Sequence, residues 1–286
     1  MKPWRLLLDY LLLIRPLNSI MMGLAVIIGE VTILGAFPKI EEIIFGFFIG
    51  FLLTAFSMVL NDIMDIEIDR INVPNRPLPS GRISINSAKL YSIILAIIGI
   101  LLTFYFSIYA IIIAFSSLIV SILYNTKAKK TGLLGNIMVA YCVAIPFLFG
   151  AIITSNSINM KILTFFMLAF LSTIGREIIK GIADIKGDKI KNIKTLALSY
   201  GTKKAAIIAS LFYLSAIILS ILPIIVKEVG LFYLFTIIFV DLGLIYCSIK
   251  ILISQERTIA IDVKNKTLIF MLLALLAFLI DSLCKF

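Results

Sequence analysis

The stretch EEIIFGFFIGFLLTAFSMVLNDIMDIEID, residues 41–69, decides the fold class of this chain. Its middle is an uncharged apolar run, and its last third carries closely spaced carboxylates. An α-helix needs about 20 mostly apolar residues to cross the roughly 30 Å hydrocarbon core of a bilayer. The stretch therefore predicts a membrane-spanning helix with an acidic end.

The rest of the chain repeats this apolar pattern. Hydrophobic residues make up 61% of its 286 residues and charged residues 15%, and the mean hydropathy is +1.12. A soluble core could not bury that much apolar surface, so we expect one all-α transmembrane domain over residues 1–286. Charges and turn residues divide it into nine predicted segments, near 10–34, 41–61, 87–106, 108–126, 133–153, 160–182, 203–226, 230–253 and 266–284. Only a short polar break at Ser107 separates the third from the fourth, so eight segments are the alternative.

The basic residues predict the orientation. If the N-terminus is cytoplasmic, all Lys and Arg fall on the cytoplasmic side except Lys39, Lys161, Lys227 and Lys285. This bias is the one expected for a multi-pass protein of the cell membrane. The net charge of +10 therefore follows from topology, and we expect no nucleic-acid partner and no obligate protein partner.

Two side-chain types limit the chemistry. The chain has no histidine, which excludes His-based zinc sites and Ser-His or Cys-His catalysis. Its three cysteines, Cys142, Cys247 and Cys284, lie in apolar segments without C-x-x-C spacing and are interpreted as packing residues.

Carboxylates concentrate in two clusters at predicted cytoplasmic helix ends. Residues four apart share a helix face, so each cluster forms a stripe. The first stripe is Asn61, Asp65 and Asp69 with Asp62 beside it, and the second is Arg176, Lys180, Asp184 and Asp188. Charges at a membrane boundary are costly unless they are paired or coordinate an ion, so two matching clusters indicate a site.

The position of the clusters suggests a duplication. The first cluster ends the second predicted helix and the second ends the sixth, four helices later. Two four-helix halves, about 10–126 and 133–253, would each supply one wall of a site, with 266–284 as a final helix.

Carboxylate and amide oxygens beside basic residues indicate a Mg²⁺-bound diphosphate. Mg²⁺ bridges protein carboxylates to substrate phosphates, and neighbouring cations neutralise the remaining phosphate charge. A diphosphate at the edge of an apolar bundle predicts a substrate with a long hydrocarbon tail. A secondary transporter is the alternative from another class, although its acidic residues usually lie near the midplane.

Three motifs in order carry a family resemblance. They are NDxxDxxxD at 61–69, NRPLPSGR at 75–82 and DxxxD at 184–188. Together they resemble the UbiA superfamily of membrane prenyltransferases over nearly the whole chain. One departure is Gly181, where many relatives have a further carboxylate, so that position offers no metal ligand here.

The resemblance implies nine helices around a lipid-open central cavity. It also implies Mg²⁺ ligands at Asn61, Asp62, Asp65, Asp69, Asp184 and Asp188. Asp65, Asp184 and Lys127 are the expected catalytic residues. Substrate-binding residues are expected at Arg15, Asn18, Arg76, Arg82, Tyr124, Lys127 and Lys180.

Several of these residues have plainer interpretations. Arg15, one turn inside the first predicted helix, could extend to the lipid headgroups, and Tyr124 and Lys127 could be interfacial anchors. Lys180 could neutralise Glu177 instead of a phosphate. We assign Lys129 and Lys130 to topology alone, and interpret Asp241 as a hydrogen-bonded structural acid.

Two short sequence motifs predict the acceptor. NRPLPSGRIS at 75–84 and TLALSYG at 195–201 are most similar to the archaeal branch of the superfamily. That branch implies transfer of a geranylgeranyl group from its diphosphate to the lipid-phosphate acceptor geranylgeranylglyceryl phosphate, with an aromatic, quinone-type acceptor as the alternative.

A phosphorylated acceptor needs a second anion site. The surplus basic residues are Arg15, Arg76, Arg82, Lys127, Lys180, Lys186 and Lys191. No residue is an obvious general base.

Overall fold

The computed structural model describes residues 3–190 and 193–284, which contain helices and connecting loops but no strand. Lys191 and Lys285 lie outside the described residues. The helices are α1 Pro3–Leu13, α2 Pro16–Leu34, α3 Ile40–Met64, α4 Ile66–Asn72, α5 Ile85–Thr103, α6 Ile108–Thr126, α7 Leu133–Ser155, α8 Met160–Ala183, α9 Ile185–Ile190, α10 Leu196–Tyr200, α11 Thr202–Ser220, α12 Leu222–Ile225, α13 Leu231–Ile253 and α14 Arg257–Leu283. A 3₁₀ turn, Ala128–Lys130, joins α6 to α7.

Nine spans in the described ranges are long and apolar enough to cross a membrane. They are α2, α3, α5, α6, α7, α8, the pair α11–α12, α13 and α14. Large apolar side chains such as Ile218, Phe235 and Ile253 are exposed on their outer faces, as expected for helices surrounded by lipid. The predicted all-helical fold with nine spans is confirmed.

The first predicted segment, 10–34, is wrong in one respect, because it is two helices rather than one. α1 ends at Leu13, and Arg15 adopts a left-handed conformation with φ 45° and ψ 73°. Pro16 follows, and proline disfavours the α conformation in the residue before it and lacks an N–H group. Arg15 therefore lies at a break in the chain, not one turn inside a helix.

The last predicted segment, 266–284, begins too late. α14 starts at Arg257, so its first turns carry charged side chains. Asp262 accepts from Lys266 on the same helix at 3.1 Å and from Lys250 of α13 at 2.8 Å. These pairs allow the helix to continue through charges that a hydropathy pattern treats as a boundary.

Close backbone contacts fix α2 against its neighbours. A Cβ at Gly29 would lie 2.2 Å from the Phe147 carbonyl oxygen, and one at Gly150 would lie 2.1 Å from that of Val26. Only glycine permits such an approach between α2 and α7, which is how small residues pack membrane helices. α2 also packs along α3, so the start of α2 is held beside the end of α3.

The second half of the bundle packs around α8. This helix contacts α7, α11 and α14, and stacked rings of Phe165 and Phe278 join α8 to α14. A buried ion pair links Lys161 to Asp281 at 3.2 Å at the end of the bundle away from the acidic clusters. α14 also contacts α2 and joins the two halves. The other end, where α3 and α8 finish, is called the motif side below.

Candidate active site

The first acidic cluster lies where α3 ends. Asp65 is the residue between α3 and α4, and its N–H group donates to the Asn61 carbonyl at 3.0 Å. The Asp69 N–H donates in turn to the Asp65 carbonyl at 2.8 Å. The i to i+4 bonding thus continues through the break, which keeps Asn61, Asp65 and Asp69 on one stripe as predicted.

The left-handed Arg15 reaches across to this cluster. Its Nη2 donates to Oδ1 of Asp62 at 2.6 Å and lies 3.4 Å from Oδ1 of Asn61. Asp62 is only 3% exposed, so its charge needs a partner. The break before Pro16 therefore places a guanidinium on a buried carboxylate of α3.

The loop after α4 adds a second guanidinium. Nη1 of Arg76 lies 2.8 Å from Oδ2 of Asp69 and 3.6 Å from Oδ1 of Asp62, so it bridges the two carboxylates. A cavity of about 520 Å³ opens here. It is lined by Leu12, Arg15, Asp62, Val73, Pro74, Asn75, Arg76 and Pro77. We call it the Asp62 cavity.

The other loop arginine faces elsewhere. Nε of Arg82 lies 3.0 Å from both carboxylate oxygens of Asp9, and its Nη2 donates to the Asn75 carbonyl at 2.9 Å. Arg82 thus ties the 75–82 loop to α1. Among the described residues, Arg76 is the loop arginine that contacts the acidic cluster. Asn18 lies beside α3, with its amide nitrogen 3.9 Å from the Met58 sulfur.

Lys129, interpreted from the sequence as a topology signal alone, contacts the first acidic cluster. Its ammonium group contacts Oδ2 of Asp65 directly. The 3₁₀ turn after α6 brings it there, and a pattern of consecutive lysines does not predict that turn. Lys127, the expected catalytic lysine, is exposed at the end of α6 and forms no ion pair with any residue that the structure describes.

A buried amide network orients Asn61. Nδ2 of Asn61 donates to Oδ1 of Asn125 at 2.9 Å, and Nδ2 of Asn125 donates to the Ser121 carbonyl at 3.0 Å. The hydroxyl of Ser121 donates to that of Ser57 at 2.7 Å. With its NH₂ group engaged, Asn61 turns its carbonyl oxygen toward Arg15 and the carboxylates. Asn125 was not predicted as a site residue, although it adjoins Tyr124 in the sequence.

The second acidic cluster lies at the end of α8. Asp184 is exposed between α8 and α9, and Asp188 lies one turn further on, half-buried. Before them, Glu177 accepts from Arg176 at 3.1 Å and from Lys180 at 3.0 Å. Lys180 therefore pairs with Glu177, the plainer of its two expected partners, while about half of its side chain stays exposed.

Tyr124 is half-buried near the end of α6, one residue before Asn125 of the amide network. A phenol can donate a hydrogen bond to an anion. Substrate binding by Tyr124 stays a prediction, with an interfacial anchor as the alternative.

The side-chain oxygen atoms of the first acidic cluster are of the type that a hard cation prefers. They are carboxylate and amide oxygens, and Mg²⁺ binds one or two carboxylates together with substrate phosphates and water. No group of three carboxylates in the described ranges is close enough to hold an ion by itself. In place of an ion, Asp62, Asp65 and Asp69 each contact a cationic side chain. By ligand type, these carboxylates and the Asn61 oxygen fit a Mg²⁺ ion that also binds substrate phosphate oxygens.

A membrane bundle with carboxylates and guanidinium groups at one edge defines an intramembrane enzyme for substrates with an anionic head and an apolar tail. The chain belongs to the UbiA prenyltransferase family, whose sequence model matches residues 22–273. It is therefore a prenyltransferase, and the family predicted from the three motifs is confirmed.

Similar proteins match this chain over nearly its full length. The chain is 39% identical over 274 residues to digeranylgeranylglyceryl phosphate synthase of Methanocaldococcus jannaschii, covering 96% of each chain. A solved structure described as digeranylgeranylglyceryl phosphate synthase in membranes has a TM-score of 0.89 and 38% identity, covering 98% of this chain and 99% of the other. A UbiA homolog from Archaeoglobus fulgidus, solved with DMAPP and Mg²⁺, shares the fold with a TM-score of 0.69 and 17% identity, covering 94% and 99%.

Proposed function

We propose that this protein transfers a geranylgeranyl group from geranylgeranyl diphosphate to geranylgeranylglyceryl phosphate. The product is digeranylgeranylglyceryl phosphate, an ether-lipid precursor, and diphosphate is released. The relatives at 38–39% identity support this substrate pair through their names. In the site, the observation that carries the proposal is the pair of guanidinium groups, Arg15 and Arg76, on the buried carboxylate Asp62.

The paired cations have a second use in such a reaction. In the structure, Arg15, Arg76 and Lys129 neutralise the first acidic cluster. When a diphosphate enters, the same N–H groups can rotate a short distance and donate to phosphate oxygens, as charge-assisted hydrogen bonds to anions do. These side chains would then stabilise the negative charge that grows on the leaving diphosphate.

A Mg²⁺ ion, when bound, would supply additional positive charge to the leaving diphosphate. Asn61, Asp62, Asp65 and Asp69 would hold it from the α3 side and Asp184 and Asp188 from the α8 side. The homolog solved with DMAPP and Mg²⁺ supports this choice of metal. Asn125 would keep the Asn61 oxygen directed at the site.

The proposed reaction is an alkyl transfer. The bond between C1 of the prenyl chain and the diphosphate oxygen breaks, and diphosphate keeps the electron pair. The acceptor hydroxyl oxygen forms the new ether bond to C1, and its proton leaves to an oxyanion. The chain has no histidine to act as a base, so carboxylate and phosphate oxygens are the proton acceptors at hand. Apolar helices around the reacting carbon exclude water, which would otherwise capture the allylic cation.

The motif side would face the cytoplasm. Arg15, Arg76, Arg82, Lys129 and Lys180 all lie at this side, in agreement with the positive-inside rule. Both substrates would then enter from the cytoplasmic leaflet, with their anionic heads at the motif side and their chains in the membrane.

The proposal is tested with purified protein and radiolabelled geranylgeranyl diphosphate. With geranylgeranylglyceryl phosphate and Mg²⁺, we expect a labelled lipid that carries two chains and one phosphate. Addition of excess EDTA should stop its formation, and Mg²⁺ should restore it. Full activity in EDTA would contradict the role given to both acidic clusters.

A further inference from the structure

A second cavity lies at the motif side, apart from the Asp62 cavity. Its volume is about 750 Å³, within the range of small-molecule sites. Lys130, Thr131, Gly132, Leu133, Lys194, Leu196, Ser199 and Tyr200 line it, and it shares no lining residue with the Asp62 cavity. We call it the Lys130 cavity.

Two loops from different parts of the chain form the Lys130 cavity. The loop between α6 and α7 supplies Lys130 and Gly132, and the loop before α10 supplies Lys194. The Lys194 N–H donates to the Lys130 carbonyl at 3.2 Å. Gly132 has φ +67°, and a Cβ there would lie 2.5 Å from the Lys194 carbonyl oxygen. Glycine is therefore needed for the loops to approach this closely.

The lining of the Lys130 cavity is basic and contains no carboxylate among the described residues. Lys130 and Lys194 form no ion pair within the part of the chain that the structure describes, unlike Lys129, which contacts Asp65. The hydroxyl groups of Ser199 and Tyr200 are also without a hydrogen-bond partner there. Two uncompensated ammonium groups beside free hydroxyl donors favour an anion with several acceptor oxygens.

The cavity lies where the chain enters the lipid. α7 begins its span at Leu133, and the α11–α12 span begins at Thr202, two residues after Tyr200. Leu134 is 51% exposed and Tyr200 62%, as expected for side chains at the surface between lipid and water. A lipid whose chains stay in the membrane can place its anionic headgroup directly at this position. Basic pockets between membrane helices are known binding sites for anionic headgroups.

We propose that the Lys130 cavity binds the phosphate group of a glycerophosphate lipid, with Lys130 and Lys194 as its cationic ligands and Ser199 and Tyr200 as hydroxyl donors. The ligand could be the phosphorylated acceptor or product of the reaction, or a phosphodiester lipid of the bilayer, since all present the same phosphate chemistry. The assignment to acceptor or product rests on the proposed function; lipid binding does not. Lys129 and Lys130 are consecutive, so this turn contacts the Asp65 carboxylate and the Lys130 cavity at once.

The first experiment measures lipid retention. The wild type and Lys130→Gln/Lys194→Gln are purified in detergent with an anionic glycerophosphate lipid, and bound lipid is counted by native mass spectrometry. The control is Lys89→Gln/Lys264→Gln, which removes two motif-side charges that line neither cavity. We expect the cavity variant to lose about one bound lipid per chain and the control to lose none. Inorganic phosphate is added in a parallel series, and displacement by phosphate alone at low concentration would identify a free-anion site.

The second experiment distinguishes the two lipid sources. In nanodiscs of zwitterionic lipid, the KM for geranylgeranylglyceryl phosphate should rise about 10-fold in the cavity variant if the acceptor occupies the cavity, with the KM for geranylgeranyl diphosphate unchanged. Loss of lipid retention with unchanged kinetics identifies a bilayer lipid. Unchanged retention and unchanged kinetics would overturn the proposal. A wild type that retains lipid but never alkylates this acceptor would instead contradict the proposed function.

A folding control accompanies both experiments. If the double glutamine variant elutes as aggregate, Lys130→Arg/Lys194→Arg and the single Lys130→Gln variant replace it. Arginine keeps the charge, so the arginine pair should retain lipid and the single glutamine should lose part of it. Equal retention by both would overturn the proposal.

Discussion

Asp65 and Asp184 have the same backbone geometry at the ends of α3 and α8. Each follows a long spanning helix and precedes a short one, with φ and ψ of −97° and 6° for Asp65 and −100° and 10° for Asp184. In each, the N–H group donates to a carbonyl four residues earlier, and the carbonyl accepts from an N–H four residues later. The repeat of four-helix halves, 10–126 and 133–253, stays a prediction.

The equivalence predicts equal sensitivity to substitution. Asp65→Ala and Asp184→Ala should each lower the transfer rate by about 100-fold or more, because each would remove one of the proposed oxygen ligands of the metal. The rate is measured at several Mg²⁺ concentrations with both substrates saturating. Asp262→Ala is the control, since Asp262 pairs with Lys250 and Lys266 away from the site. Near wild-type rates for either cluster variant would make that carboxylate a structural helix-end residue.

The pair of Arg15 and Asp62 should be coupled in stability. Arg15→Gln leaves the buried Asp62 carboxylate with only the more distant Arg76, and we expect a loss of about 1–3 kcal/mol in the free energy of unfolding. Asp62→Asn in the same chain should recover part of that loss, because the neutral amide no longer needs the guanidinium. A double-mutant cycle by thermal denaturation in detergent measures the coupling. Additive effects would show that the 2.6 Å contact has no energetic weight.

Asn125 should act as a positioning residue. Asn125→Ala frees the Asn61 amide to rotate, so the Mg²⁺ concentration for half-maximal activity should rise about 10-fold. The rate at saturating Mg²⁺ should stay near that of the wild type, which a general loss of structure would not permit. Thr126→Val is the matched control on the same helix, because the Thr126 hydroxyl bonds only to the Ile122 carbonyl at 2.7 Å. An unchanged Mg²⁺ requirement in Asn125→Ala would show that Asn125 does not position Asn61 for metal binding.

Lys129 and Lys127 should give different kinetic effects. Lys129 contacts Asp65 and would compete there with a metal ion, so Lys129→Gln should lower the Mg²⁺ concentration needed for half-maximal activity. Lys127 is exposed, and the family resemblance implies that it binds substrate, so Lys127→Gln should raise the KM for geranylgeranyl diphosphate. Titrations of Mg²⁺ and of the diphosphate on both variants separate the two. Identical profiles would mean that the two lysines act only through their common charge.

The fold was predictable because the bilayer determines how long each apolar run must be and where charged residues can lie. Nine spans and the helix-end location of both acidic clusters follow directly from apolar run lengths. The break at Arg15 was not predicted, because hydropathy treats a single arginine before proline as part of an apolar run. The early start of α14 was missed because charges at 262 and 266 are stabilised by partners that the pattern cannot supply.

The candidate site was predictable where it depends on spacing along one helix. Asn61, Asp65 and Asp69 form a stripe, and Asp241 is a hydrogen-bonded acid, accepting from Ser220 at 2.8 Å. Contacts between distant segments were not predictable. Lys129 on Asp65 and Arg82 on Asp9 depend on how loops fold over the bundle. Sequence order contains no direct measure of such distances.

The acceptor is the central claim, and one competition experiment tests it most directly. Purified protein with Mg²⁺ receives limiting radiolabelled geranylgeranyl diphosphate together with equal amounts of geranylgeranylglyceryl phosphate and a hydroxybenzoate, and the extracted lipids are separated. We predict that the label enters a dialkyl glyceryl phosphate, because the surplus of basic residues at the motif side offsets repulsion between the acceptor phosphate and the leaving diphosphate. Transfer of the label to the aromatic acceptor alone would contradict the account.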